Sequence, residues 1–381
     1  MKIVIIGTAY PLRGGIAHYL ALLASALGKR HQVETITFKR QYPSLLFPGK
    51  TQEESAGDQH TAPAPRLVDS INPLNWIAVA RMLRAKKPDL LIFKYWLPFF
   101  GPCFGTIAKF AKRGTATKAL VICDNVIPHE RRPGDIVFTR YFFSQADYFV
   151  VQSSAVEREL TAFWPRACYR KTAHPVYNFF GSPTSKSEAR SALGLSSRPV
   201  MLFFGYVRAY KGLHVLLEAM AQVVSHRDVQ LLVVGEFYDD EQKYIAQIAA
   251  LHLEKYVTIH SEYAPNDLVG KYFSAADAVV LPYRSATQSG IAQIAYNFEK
   301  PVIATNVGGL AEVVLDGQTG FIVPPDNPAA LAAAIGRFYD EHREQEFVSH
   351  VIEEKRKYSW DAMVTTIEDL AAGAAEHPKA S

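Results

Sequence analysis

The sequence has few cysteines, and those it has form no pattern. Its 381 residues include three cysteines, Cys103, Cys123 and Cys168, an odd number at wide spacing. This excludes a disulfide-rich secreted scaffold and supplies no metal-ligand motif. The cysteines therefore favour a reduced, cytoplasmic protein that holds no metal.

The sequence also lacks a long apolar run and a strong charge of either sign. Lys94, Pro98 and Gly101 interrupt the most apolar stretch, 89–113, whereas a transmembrane helix needs about 20 apolar residues in a row. The apolar part of the segment MKIVIIGTAYP is too short for a signal peptide, and it predicts a first strand. A net charge of +4 is too small to indicate nucleic-acid binding, but it suits anionic small ligands or an anionic membrane surface.

What the sequence does have is a regular alternation of apolar strands and amphipathic helices. The length and the 49% hydrophobic content suit two domains, each with its own core. The predicted strands are 3–7, 33–38, 90–93, 119–123 and 148–152 in the first half, and 200–204, 230–234, 257–260, 278–281, 301–304 and 321–323 in the second.

This alternation predicts an α/β protein of two Rossmann-like, doubly wound domains that face a cleft. The first domain is predicted to cover residues 1–180, with a C-terminal helix (361–375) packing back on it, and the second to cover residues 181–360. The segment 178–190, rich in Ser, Gly and Pro, predicts the hinge. Ligands bind at the carboxyl ends of such strands, so the loops after residues 7, 123, 204 and 281 are the candidate sites.

The first of these loops contains Gly14 and Gly15 at the entry of a long helix. Free N–H groups and the positive helix end suit an anion or a developing negative charge. We therefore predict that Gly14 binds substrate and that Gly15 takes part in catalysis; the alternative is a tight turn that needs glycine for its backbone angles. The loop lacks the G-x-G-x-x-G pattern, which disfavours a nicotinamide cofactor.

The second loop, CDNVIPHERRPGD, gathers Asp124, His129 and Glu130 behind a strand. Such groups bind sugar hydroxyls or transfer protons, and Asp124 and His129 are the candidate catalytic side chains. In the alternative interpretation, Asp124 or Asn125 caps a turn and Glu130 pairs with a neighbouring arginine on the surface. The segment VVGEFYDD adds a weaker candidate, Glu236, which either touches the ligand or, as we expect, caps the following helix.

The third loop, in FFGYVRAYKGLHVLLEA, places Arg208 and Lys211 just before a helix. A cation at a helix start opposes the helix dipole, and it costs stability unless an anion is bound. Two cations at this place suit a diphosphate, and the alternative is a solvated basic turn.

The fourth loop, SATQSGIAQIA (285–295), has no Asp, Glu, His or Cys. Ser289 occupies the position of an N-cap, and the N–H groups of Gly290 and Ile291 are predicted to point outward. Such a helix start can hold a phosphate through dipoles alone, although a capped helix without a ligand explains the same residues.

Four segments of the second half resemble the retaining glycosyltransferases of family 4. They are FFGYVRAYKGLHVLLEA, LLVVGE, YFSAADAVVLPY and KPVIATNVGGLAEVVLDGQTGFIVPPDNPAALAAAI, in the family's order and spacing. The first half is similar more loosely, through Gly14, Gly15 and ADYFVVQSSAVEREL. The resemblance implies a GT-B fold and transfer of a sugar from a nucleoside-diphosphate sugar, with retention of the anomeric configuration. It also implies that no metal or other cofactor is needed, because helix N-termini and an Arg/Lys pair hold the diphosphate.

The sequence departs from the family at three binding positions. Lys211 matches the lysine of the family's Arg/Lys pair, but Tyr206 stands at the arginine position, and Arg208 is the candidate replacement. The positions of the family's two glutamates hold Ala286 and Ile294.

Neutral side chains near these two positions are the candidates to replace the glutamates. Gln288, Ser289 and Gln293 can offer hydrogen bonds to the donor, in a QSG turn similar to that of a bacterial subgroup of the family. A neutral hydrogen bond contributes about 0.5–1.5 kcal/mol, against about 1.5–3 kcal/mol for one to a charged group. In the first half, the resemblance implies that Asp124 or His129 contacts the donor sugar.

The resemblance also implies that the first domain holds the acceptor. Aromatic and basic residues in 38–50 and 94–113 suit a lipid headgroup interface, and the alternative for them is core packing near a strand end. We therefore expect a cytoplasmic enzyme at the inner face of an anionic membrane, which uses a glycan or lipid-linked acceptor to make a bacterial surface polysaccharide or glycolipid.

Two alternatives to this function stay open. One is a GT-B protein that lost catalysis with its two glutamates and acts as a nucleotide-sugar-binding or scaffolding component. The other is a different enzyme of this fold, such as a nucleotide-sugar epimerase or a phosphorylase, although no lysine loop for pyridoxal phosphate is apparent.

Overall fold

The computed structural model describes residues 1–43, 51–53, 63–127 and 132–373, which form two compact units. The first unit comprises Met1–Pro175 and the chain from Ser359 onward, and the second comprises Val176–Tyr358. The chain therefore passes between the units twice, at residues 175–176 and 358–359. The sequence placed these divisions at 180–181 and 360–361.

The first unit contains a seven-stranded parallel sheet in the order β3-β2-β1-β4-β5-β6-β7. Its strands are β1 (Lys2–Ile6), β2 (Gln32–Arg40), β3 (Arg66–Asp69), β4 (Leu90–Tyr95), β5 (Lys118–Cys123), β6 (Tyr148–Val151) and β7 (Tyr169–Lys171). Its helices are α1 (Gly15–Gly28), α2 (Pro73–Lys86), α3 (Gly101–Lys112), α4 (Asp135–Phe143), α5 (Ser154–Phe163) and α14 (Trp360–Ala371).

Helices cover both faces of this sheet. Helices α2, α3 and α4 lie side by side, and α1 packs against α14. The connections through α2, α3 and α4 all move the chain in one direction along the sheet, whereas the connection through α1 moves it in the other. Because parallel crossovers are right-handed, the first three helices share one face and α1 lies on the opposite face.

The aromatic stretch 94–113 belongs mostly to the core of the first unit. Tyr95, Phe100 and Phe104 are fully buried, as is Phe38, and the rings of Phe100 and Phe104 stack with centroids 5.6 Å apart. The headgroup interface predicted for these side chains is therefore wrong, and core packing explains them. Residues 44–50 of the other predicted stretch lie outside the described residues. No helix in the described ranges is long and apolar enough to cross a bilayer.

The second unit contains a six-stranded parallel sheet in the order β10-β9-β8-β11-β12-β13. Its strands are β8 (Val200–Phe204), β9 (Gln230–Val234), β10 (Val257–His260), β11 (Ala278–Leu281), β12 (Val302–Thr305) and β13 (Gly320–Val323). Its helices are α6 (Lys186–Ala192), α7 (Leu213–Val224), α8 (Glu241–Ala250), α9 (Asn266–Ala275), α10 (Gly290–Asn297), α11 (Leu310–Val313), α12 (Pro328–Asp340) and α13 (Glu344–Glu354).

The two parallel sheets confirm the predicted α/β, doubly wound architecture, and β8, β9, β10 and β11 have the predicted bounds. The predicted hinge 178–190 is corrected in part, because α6 begins within it. Ser185 and Glu188 form a reciprocal capping box that starts this helix, and α6 packs on α9 inside the second unit.

Each sheet changes winding direction at one pair of neighbouring strands. In the first sheet this pair is β1 and β4, and in the second sheet it is β8 and β11. In open α/β sheets, ligands bind outside the carboxyl ends of such a pair. The loops after β1 and β8, together with the loops after β4 and β11, are therefore the places where each unit can build a site.

Candidate functional site

The candidate site in the second unit begins with a buried lysine. A 3-10 turn (Ala209–Lys211) after β8 carries the Lys211 side chain, which keeps 8% of its accessible surface. Burial, and after it the nearby Arg208, lowers the pKa of this ammonium to about 7, and no described carboxylate offsets the two effects. A buried ammonium without a counter-ion is costly, so this loop suits an anion that the described residues do not supply.

Arg208 lies on the same loop, supported by tyrosine rings. Its guanidinium carbon lies 4.8 Å from the centroid of the Tyr238 ring. Tyr206, at the position of the family's arginine, packs against Tyr238 with centroids 4.6 Å apart, and Tyr263 lies 6.1 Å from Tyr206. The second cation of the loop is thus present, exposed, and held two residues beyond the family position.

The start of α10 contributes backbone donors. Ser289 occupies the N-cap position, as predicted, but its hydroxyl makes no hydrogen bond to the helix N–H groups and faces the phenol of Tyr283 instead. No acidic residue lies in the first turn, which contains Gly290 and Ile291. The N-terminal N–H groups of α10 are therefore available to a ligand, since the Ser289 side chain accepts no hydrogen bond from them.

Close backbone packing brings this helix start to Lys211. A Cβ at Gly205 would stand 3.0 Å from Lys211 Nζ and 3.3 Å from Ile291 Cδ1. Gly212, at a φ of 70°, lies against the carbonyl of Pro282. Lys211 and the α10 N-terminus thus share one small region at the switch point between β8 and β11. A buried cation beside the N-terminus of a helix is an arrangement that can bind an anion.

Gln293 is the most unusual of the predicted neutral replacements. It is 1% exposed, and neither its amide oxygen nor its amide nitrogen has a hydrogen-bond partner among the described residues. The two glutamate positions carry no polar side chain, because they hold Ala286, which is half-buried, and Ile294, which is buried. Gln288 is half-buried at the loop. An orphaned buried amide costs about 1–3 kcal/mol, a cost that packing alone does not explain.

The prediction that Glu236 caps a helix is wrong. Asp240 is the N-cap of α8 and accepts a hydrogen bond from the Gln242 N–H at 3.0 Å. Glu236 is instead buried directly after β9, and its carbonyl accepts a hydrogen bond from the Val207 N–H at 2.9 Å. This backbone bond joins the residue after Gly235 to the loop that holds Arg208 and Lys211.

In the first unit, Gly14 and Gly15 form the start of α1 as predicted. Gly14 is the N-cap residue with a φ of 111°, and no side chain caps the helix. A positive φ of this size requires glycine. The turn geometry that requires glycine is thus present, and the anion-binding role of this loop stays a prediction.

Asp124 has a partner that the sequence did not predict. Its Oδ1 lies 2.6 Å from Nζ of Lys94, which is 1% exposed. The same ammonium donates to Gln152 Oε1 at 3.2 Å and lies 3.7 Å from the centroid of the Tyr19 ring. Burial lowers the pKa of Lys94, and Asp124 opposes that shift. Asp124 is therefore the counter-ion of a buried lysine. The sequence signal that could have predicted this pair is the single lysine inside the apolar run LLIFKYW.

His129 lies outside the described residues, and its role stays a prediction. Within the described ranges, no group of three or more His, Cys, Asp or Glu side chains could hold a metal ion.

Two family models match the chain, one for each half. The model described as "Glycosyl transferase 4-like domain" matches residues 14–170, and the model described as "Glycosyl transferases group 1" matches residues 198–341. A D-inositol 3-phosphate glycosyltransferase of Arthrobacter sp. strain FB24 is 32% identical over 357 residues, covering 86% of this chain and 82% of the relative. An alpha-D-kanosaminyltransferase of Streptomyces kanamyceticus is 30% identical over 159 residues, covering 41% of this chain and 40% of the relative.

Solved structures of low sequence identity share the fold over the whole chain. HepE of Anabaena, solved in complex with UDP, has a TM-score of 0.77 at 19% identity, with 98% of this chain and 100% of that chain covered. Sucrose-phosphate synthase of Thermosynechococcus elongatus has a TM-score of 0.76 at 21% identity, with 98% and 99% covered.

Proposed function

Because this chain belongs to the group 1 glycosyltransferases and has the GT-B fold, we propose that it is a retaining glycosyltransferase of family 4. Its donor is a nucleoside-diphosphate sugar, and its acceptor is a glycan or a lipid-linked sugar. It works in the cytoplasm at the inner face of the membrane, in the synthesis of a bacterial surface polysaccharide or glycolipid.

The observation that carries this proposal is the buried Lys211 beside the α10 N-terminus, which has no counter-ion among the residues that the structure describes. A diphosphate supplies the negative charge that this lysine lacks. Arg208 adds a second cation from the same loop. UDP and UDP-glucose are bound by HepE, a protein of the same fold, which supports a donor of this class.

During the chemical step, negative charge develops on the leaving diphosphate. The bond between the anomeric carbon and the phosphate oxygen breaks, the acceptor oxygen bonds to that carbon on the same face, and the acceptor's proton passes to the diphosphate. Fixed donors aimed at the developing charge lower the barrier of such a step. Lys211 and the N–H groups of Gly290 and Ile291 are those donors here, so the reaction needs no metal and no other cofactor.

Neutral groups take the place of the two missing glutamates. Gln288, Ser289 and Gln293 lie in or just after the QSG turn, and the unsatisfied amide of Gln293 suits a ligand hydroxyl or a water that a ligand positions. In the first unit, Gly14, Gly15, Asp124 and His129 remain our proposal for the groups that meet the donor sugar and the acceptor.

One observation favours a second candidate function, a GT-B protein that binds nucleotide sugars without transferring them. Ala286 and Ile294 stand at both glutamate positions, and neither side chain can hydrogen-bond a sugar. The diphosphate site would persist in such a protein, because Lys211 and the N–H groups at the start of α10 do not need a polar side chain at these two positions.

A nucleotide-sugar panel tests the proposal. A bound ligand at a hundredfold excess over its Kd stabilises the folded protein by about 2.7 kcal/mol, which a thermal shift detects. Lys211→Ala should lower the affinity for the stabilising ligand by about 1.5–3 kcal/mol, the contribution of one charged hydrogen bond.

Lys243→Ala is the matched control, because Lys243 is an exposed lysine of the same unit that pairs with Asp239. No shift with any nucleoside diphosphate or its sugar would refute the donor site. A shift without transfer to any acceptor or hydrolysis would favour the binding protein.

A further inference from the structure

Large apolar side chains are exposed mainly at one place on the first unit. Eight of them are exposed in the described part of the chain, and five lie in or just before the first turn of α2 or α4: Ile71, Leu74, Ile136, Val137 and Phe138. Exposure reaches 79% at Leu74 and 67% at Val137. Single exposed apolar residues are ordinary, but a group of this kind marks an interaction site. We name these five residues the apolar rim.

The apolar rim lies along one edge of the first sheet. Helices α2, α3 and α4 each follow a parallel strand, so all three begin at the carboxyl edge. Helix α3 lies between the other two, and a Cβ at its first residue, Gly101, would stand 2.4 Å from the Phe138 carbonyl oxygen. With packed helices about 8–10 Å apart, the rim spans about 20 Å. Gly14 and Asp124 lie at the same carboxyl edge.

The three helices that begin at the rim are basic, with most of their basic residues in the last turns, at the end away from the rim. They contain a single acidic residue, Asp135. Their basic residues are Arg81, Arg84, Lys86, Lys109, Lys112 and Arg140. Glu34 neutralises Lys86, and Asp147 neutralises Lys112. The face keeps a net positive charge, which repels a second copy of itself and attracts an anionic surface.

We propose that the apolar rim docks the first unit on an anionic lipid bilayer. The aliphatic side chains enter the headgroup region, and the basic helices hold the anionic lipids; apolar area and charge together are what peripheral binding needs. The rim lies outside the stretches 38–50 and 94–113 that the sequence suggested. Its purpose, presenting a lipid-linked acceptor to the carboxyl edge of the sheet, rests on the proposed function, but its binding does not.

Vesicle flotation of the full chain without any nucleotide sugar tests this proposal. Vesicles of phosphatidylcholine alone are compared with vesicles that contain phosphatidylglycerol, at low and high salt. We expect binding to the anionic vesicles, weakened by salt, and a loss of about tenfold or more in the double variant Leu74→Glu/Val137→Glu. Ile245→Glu is the matched control, because Ile245 is an exposed apolar residue of the second unit, and it should bind as the wild type does.

Circular dichroism and the thermal shift with the donor show that the variants remain folded and keep the donor site. Failure of the wild type to float with anionic vesicles, or unchanged binding by the double variant, would overturn the proposal and leave the donor site untouched. A dimer in solution that the double variant dissociates, with no vesicle binding, would assign the rim to a second copy instead. A folded protein with no donor site that still binds vesicles would support the rim and refute the enzyme.

Discussion

Raising the pH should weaken nucleotide-sugar binding through Lys211. Burial, and after it Arg208, lowers the pKa of this ammonium to about 7 in the unliganded protein. A bound diphosphate favours the charged form and raises that pKa again. Binding above pH 7 must therefore take up a proton, and its affinity must fall as protons become scarce.

The magnitude follows from the fraction of charged lysine. With a pKa of about 7, roughly half of the Lys211 side chains are charged at pH 7 and roughly 3% at pH 8.5. If the bound state keeps its proton over this range, Kd rises about 15-fold, or about 1.6 kcal/mol. The unliganded protein shows the opposite sign: its folded-state pKa lies below the unfolded value of about 10.4, so its stability rises with pH between the two values.

Isothermal titration calorimetry measures both effects. The titrant is a nucleotide sugar, whose phosphates do not titrate between pH 7 and 8.5, in two buffers of different ionisation enthalpy. The difference in heat between the buffers gives the number of protons taken up, which should approach one at pH 8.5. Lys211→Met should bind more weakly and should lose the pH dependence.

Lys300→Met provides the control for buried lysines in general. Lys300 lies in the same unit, burial lowers its pKa to about 8, and its Nζ donates to the Ser274 carbonyl at 3.3 Å. Its replacement should leave proton uptake on binding unchanged. A wild-type Kd that stays constant from pH 7 to pH 8.5, with no proton uptake, would refute the role of Lys211 as the ligand's counter-ion.

Two further changes test the packing around the sites. Gly308→Ala should destabilise the second unit and weaken donor binding, because the new Cβ would stand 1.6 Å from the Ala286 carbonyl oxygen. Gly317→Ala is the control, because Gly317 also has a positive φ but its Cβ would meet nothing within 4 Å. This control should cost only about 1–2 kcal/mol of backbone strain. If urea unfolding shows that both variants lose the same free energy of unfolding, the contact between Gly308 and Ala286 would be contradicted. Asp124→Ala should lower the free energy of unfolding by about 3–5 kcal/mol, because it leaves the charge of Lys94 buried and unpaired, and adding Lys94→Met should restore most of it; a single-variant loss below about 1 kcal/mol would contradict a structural ion pair.

The sequence predicted the central strands well, because continuous apolar runs in a parallel sheet leave little choice of structure. The strands β3 and β7 were missed because they lack such runs. Both lie at sheet edges, and the segments RLVD and YRK have too few apolar residues to indicate a strand.

The candidate site was predictable only as a set of loops. The spacing of Arg208 and Lys211 before a helix indicated an anion, but burial of Lys211 without a carboxylate depends on how the chain folds around it. Ser289 appeared to be a helix cap, and only the fold shows its hydroxyl facing Tyr283. Pairing of Asp124 with Lys94 joins neighbouring strands β4 and β5, a contact that local spacing does not encode.

The two crossings of the chain between its units set an order in which the protein can fold during synthesis. The second unit is one continuous segment, whereas the first needs α14, which is made after the second unit. Until then, Tyr19 lacks its edge-on neighbour Trp360, and the partners of Met363, Val364, Ile367 and Leu370 are uncovered. N-terminal domains usually fold first during synthesis. Here the first unit leaves the ribosome first, but it can complete its fold only after the second unit and α14 have been made.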